Sequence, residues 1–141
     1  MAASNETVTV ILKDNVEKSE CLYRVVKRSR PDCITINNKI SPALYKDSSG
    51  VSVDRDGGRH KEEIVRFITE VTFPGRAKAI ASVYAANCYD AGARVEAAPS
   101  DRNPYHANIY LDNDEKKANL QALQLADESQ VIFFNEDVKW I

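Results

Sequence analysis

Apolar and polar residues alternate in two runs early in the chain, TVTVILK and CLYRVVKR, and a period of two predicts strands. Val8, Val10 and Leu12 share a face in the first run; Leu22, Arg24 and Val26 share one in the second. CITINNKIS reads as a hairpin whose Asn37-Asn38 pair suits a tight turn. PALYKDSSG is then a loop ending at Gly50, and it delivers a short strand, VSVD. The adjacent glycines of DRDGGR punctuate either regular state, so an irregular connection follows.

The period changes in the second half. Ile64, Phe67, Ile68 and Val71 recur at helical spacing, with acids in the first turn, predicting a helix near residues 61–71. RAKAIASVYAANCYDAG predicts a second helix over 77–91, with Ala77, Ile80, Tyr84, Asn87, Cys88 and Ala91 on one face and Gly92 as C-cap. A third helix, over 114–127, opens on an Asn/Asp cap. ARVEAAP, NPYHANIYLD and QVIFF read as strands, and NEDVKWI carries the only tryptophan. Strands first, then strands mixed with helices, imply one α+β domain on a mainly antiparallel mixed sheet. Residues 1–6 are expected to be a flexible start and 7–141 the domain.

Composition agrees with a folded core: 141 residues, 43% of them hydrophobic, are enough for one domain. The net charge of −2, from 19 basic and 21 acidic residues, gives no general pull toward nucleic acid or an anionic membrane. The sharpest basic run, RVVKRSRPD, reads as a solvated face, and RNA binding through Arg24 to Arg30 is weakened by the acidic balance. Cys21, Cys33 and Cys88 form no CxxC and, with two histidines, build no zinc site by spacing. They are expected to be free thiols in a reduced chain. No signal peptide is visible and no apolar run approaches the roughly 20 residues of a membrane span, so a cytoplasmic protein without a membrane partner is expected.

The alternation also sorts the candidate chemistry. In HANIYLD, Ala107, Ile109 and Leu111 take one face, while His106, Asn108, Tyr110 and Asp112 take the other. His106 is either a surface histidine at a strand end or a ligand-contacting imidazole. Arg24, between Leu22 and Val26, is expected to be partly buried against a carboxylate or phosphate. Ser52 and Asp54 lie opposite Val51 and Val53, and no G-x-S-x-G elbow surrounds Ser52. Arg59 and His60, after Gly57-Gly58 and before a helix start, are weaker anion-binding candidates, because neither phosphate-loop pattern fits. No metal site is expected.

Two resemblances bear on function. LYRVV…ISPALYKDSSGVSVDRD…NPYHANIYL, over residues 22–111, resembles a family of small uncharacterised bacterial proteins and implies no assigned activity. LYR, VSV and FFNED resemble elements of ADP-ribosyltransferase-like folds, which would imply NAD bound among Arg24, Ser52 and Glu136. The single serine and the absence of an E-x-E or Q-x-E pair depart from that pattern. Without a complete catalytic constellation, the expectation is a binding or regulatory module, of the accessory or immunity-like kind found in bacterial operons. It would need no cofactor and would act through a protein or small-nucleotide partner. The alternative is an NAD- or nucleotide-handling enzyme around Arg24, Ser52 and His106.

Overall fold

Cys21–Lys27 alternates between two buried faces and forms strand β1 in the middle of a six-stranded sheet. The computed structural model describes residues 12–141; the strand expected over 7–13 and the flexible start at 1–6 lie outside these residues, except for Leu12 and Lys13, which are in no strand. The other strands are β2 (Val51–Arg55), β3 (Ala77–Tyr84), β4 (Arg94–Ala97), β5 (His106–Tyr110) and β6 (Gln130–Phe134). Their order is β4-β5-β2-β1-β3-β6, and every neighbouring pair is antiparallel. The fold is α+β, as the element order implies, with an antiparallel rather than a mixed sheet.

Each face of the sheet has its own cover. On the larger side, Leu22, Val26, Val51, Val53, Ala79, Ala81 and Val83 join a core with Leu44, Tyr45 and helix α3 (Glu115–Glu128). Helix α3 buries Gln121, Ala122, Leu125 and Ala126, a stripe set by helical spacing. On the smaller side, Val25 and Ile80 meet Ile64 and Ile68 from helix α1 (Lys61–Phe67) and the five-residue π-helical segment, Ile68–Thr72, that continues it. The helix expected over 61–71 is therefore present, with a π-helical last part, a rare geometry that is frequent at functional sites.

The expected helix over 77–91 is a correction. Residues 77–84 form β3, and only Ala85–Asp90 is helical, as α2. The segment misleads because alanine favours helices intrinsically. Here seven consecutive residues are buried, since β3 lies between β1 and β6 with both faces covered. Tertiary packing overrides propensity. The 34–40 hairpin is reduced to one bridge, Ile34 to Ile40, with Asn38 taking the positive φ of the turn (58°). Cys21, Cys33 and Cys88 are all free, and burial pushes the Cys88 thiol up to about 12.

Candidate functional site

The register of the central strands assembles the site. Tyr23 stands opposite Asp54 across β1 and β2, and Asp54 stands opposite His106 across β2 and β5. Alternation turns all three to the α1 side, as it does Ser52. Over them lies a cavity of about 200 Å³, walled by Val25, Ile68 and Phe73 and lined by Tyr23, Ser52, Asp54, Asn103 and His106. The π-helical segment supplies the roof through Ile68 and Thr72.

Asp54 is the least ordinary member. It is 7% exposed, and a buried carboxylate needs hydrogen bonds on both oxygens. Asn103 Nδ2 donates to Oδ1 at 2.9 Å, while Oδ2 is buried with no hydrogen-bond partner among the described residues. Arg59 Nη2 is 3.9 Å from Oδ2, near enough for charge and too far for a hydrogen bond. The Arg59 guanidinium is directed elsewhere: Nε donates to the Asp56 carbonyl at 3.1 Å and Nη2 to that of Arg55 at 2.8 Å, and its plane lies 3.4 Å from the Tyr105 ring. Burial raises the Asp54 carboxyl above the usual aspartate range. The Asn103 hydrogen bond and the charge of Arg59 offset this only in part.

The turn before α1 makes that arrangement possible. Gly57 adopts a φ of 58° and lies so close to Tyr105 that an added Cβ would stand 2.5 Å from the ring. The DRDGGR connection is irregular, as expected, and it folds Arg59 back onto Tyr105.

His106 has a fixed ring. Its Nδ1 lies 2.9 Å from the Ala98 carbonyl, which can only accept, so Nδ1 carries the hydrogen. In the neutral imidazole Nε2 is then an acceptor, and no side chain or backbone donor among the described residues engages it.

The structure brings together some of the expected residues and separates others. Ser52 and His106 share the cavity. Arg24 does not join them: its side chain lies on the opposite face, where Nε donates to the Leu44 carbonyl at 3.1 Å and Nη1 to the Ser52 carbonyl at 3.0 Å. It is partly buried, as its neighbours implied, but its partners are backbone carbonyls rather than a carboxylate or phosphate, and burial lowers its pKa. Glu136 is exposed beyond β6, an outer strand, while Ser52 is on β2. The Arg24–Ser52–Glu136 grouping is therefore not assembled.

Arg59 serves the Asp54 pocket through its charge. His60 is exposed at the start of a seven-residue helix whose first turn carries Glu62 and Glu63, and it forms no anion site. Asp54, Asn103 and Tyr23 line the cavity beside Ser52 and His106 without having been expected there. Asp54 was visible as the residue two beyond Ser52 on the same face; Asn103, from a loop, carried no periodic signal.

A larger groove of about 440 Å³ lies beside the start of α3, but Lys46, Asp47, Arg94, Asp112 and Glu115 are all exposed there and already hydrated. Lys78 is buried, and its ammonium donates to the carbonyls of Asn135 (2.9 Å) and Val138 (2.6 Å), closed under the C-terminal segment. Among the described residues no group of three metal-ligating side chains is gathered, and no helix is long and apolar enough to cross a membrane. Comparison with known protein families, characterised proteins and solved structures finds no match to this chain.

Proposed function

We propose that this protein is a small binding or regulatory module, of the accessory or immunity-like kind, and that it holds its partner at the Asp54 cavity. One observation carries the reading: Asp54, a residue of the cavity lining, has a buried carboxylate oxygen with no hydrogen bond among the described residues, beside an imidazole whose free nitrogen accepts. An unsatisfied buried group costs roughly 1–3 kcal/mol, and a carboxyl perturbed by burial inside a cleft is a functional-site candidate. The cavity is smaller than the roughly 300–1,000 Å³ that encloses whole drug-sized ligands. At about 200 Å³ it suits a ring, a head group or one inserted partner side chain rather than an entire dinucleotide such as NAD.

The test is a titration of the ¹⁵N-labelled protein with ATP, with adenosine and with the blocked dipeptide acetyl-Gly-Asn-amide. It is run in the wild type and in Ser52→Trp, which fills the mouth of the cavity from an exposed position. The expected result is that at least one probe shifts the amides of Val53, Asp54, Asn103 and His106, and that Ser52→Trp abolishes the shift. Shifts confined to other surfaces, or none at all, would overturn the reading.

A further inference from the structure

We infer that the cavity takes a neutral, flat heteroaromatic ring presenting two adjacent N–H donors, the edge shared by guanine and pterins, with Asp54 and His106 as the acceptors. The inference rests on the partner-site reading above and names the chemistry of the occupant.

The hydrogen-bond inventory comes first. Asp54 Oδ2 has no donor, and His106 Nε2 accepts because Nδ1 is committed to Ala98. The two residues are directly opposed on neighbouring strands, and such pairs hold their Cβ atoms about 5 Å apart. One ring edge with adjacent donors spans that separation when the Asp54 carboxyl turns its buried Oδ2 toward the cavity. A ligand offering only acceptors would leave both sites unmet.

Charge then narrows the class. Arg59, 3.9 Å from Oδ2, already supplies the compensating positive charge. What the carboxylate lacks is a donor rather than a counter-ion. A cationic ligand would be repelled by Arg59, and an anionic one would find no lysine or arginine in the lining. Neutrality fits both facts.

Shape completes the argument. The walls are Val25, Ile68 and the Phe73 ring, with the polar groups of Tyr23, Ser52, Asp54 and His106 on the strands. Apolar walls over a polar floor match a flat ring entering edge first, and an aromatic wall favours stacking.

The experiment measures binding of guanosine, pterin, 1-methylguanosine, agmatine and AMP to the wild-type protein and to Asp54→Asn, by calorimetry with amide shifts locating the site. Guanosine or pterin should shift the pocket amides, and comparison of those two arms shows whether the source is a nucleoside or a pterin. Methylation at N1 removes one donor and should weaken binding about tenfold or more, the effect of one lost hydrogen bond to a charged acceptor. Asp54→Asn should weaken guanosine or pterin by a similar factor while remaining folded. Pocket binding by agmatine or AMP without guanosine or pterin would overturn this inference and leave the partner-site reading standing. Equal binding of guanosine and 1-methylguanosine would also overturn it. No pocket shift with guanosine or pterin would overturn this inference, while the partner-site reading stands or falls on ATP, adenosine and the dipeptide.

Discussion

Asp54 and Arg55 are neighbours on β2, both buried, and they face opposite sides of the sheet with opposite degrees of completion. The Arg55 guanidinium is closed on every side: Nε and Nη2 donate to Glu20 at 2.7 and 2.9 Å, and Nη1 donates to the Lys13 carbonyl at 2.7 Å. Arg24, also on the larger-core side, is similarly held by two carbonyls. Asp54 keeps one oxygen without a hydrogen bond beneath an open cavity. The contrast separates two uses of a buried charge. On one face it staples distant segments; on the other it is left incomplete in the wall of a cavity.

If that division is right, damage to the closed face should appear as lost stability. Arg55→Ala breaks the pair with Glu20 and should give the largest effect, about 3 kcal/mol in urea unfolding, the lower end for a broken buried pair because Glu20 keeps some contact with water. The pair also predicts a pH response. Partial burial pushes the Glu20 carboxyl up, but the Arg55 hydrogen bonds and charge and the Glu17 backbone N–H hold it below its ordinary value. A depressed carboxylate stabilises the fold above its unfolded pKa and loses that contribution as pH falls through the folded one. The wild type should therefore lose its advantage over Arg55→Ala as pH falls through and below the usual glutamate range; a difference that stays constant well below that range would remove the ion pair from the account.

Arg24→Met should come next, at about 2 kcal/mol, because two carbonyls lose their donor while the side-chain volume is kept. It should leave binding at the cavity unchanged, and weakened binding would break the separation of the two faces. His106→Ala loses the hydrogen bond to Ala98 and should cost about 1 kcal/mol. Its larger signature should be in binding, since it removes one of the two acceptors. Ser52→Ala, at an exposed position, should change stability by less than about 0.5 kcal/mol.

Much of the fold was legible because a half-buried strand writes its faces into alternation. Val51, Val53, Ala107 and Ile109 are buried, while Ser52, His106 and Asn108 turn the other way, as their spacing implied. What failed was β3, where burial on both faces erases the period of two and an alanine-rich run imitates a helix. The site was half legible for a related reason. Alternation assigns Ser52 and His106 each to the non-core face of its own strand, but only the register shows that these faces are one. Arg24 was misplaced because its partners are backbone carbonyls, which no sequence pattern marks. Asn103 was missed because it reaches Asp54 from a loop.

The most direct test of the division between the two faces is the stability of Asp54→Asn relative to wild type as a function of pH. Burial raises the folded pKa of Asp54, so its contribution is present below the unfolded aspartate value and is lost as pH rises through the folded one. Removing the charge should therefore stabilise the protein at pH 7.5, by about 1 kcal/mol, the low end of what an unsatisfied buried group costs. The gain should shrink toward zero as pH is lowered to the ordinary aspartate range. A variant less stable than wild type throughout would show that Oδ2 is already satisfied within the chain, and the α1 face would then be closed like its opposite.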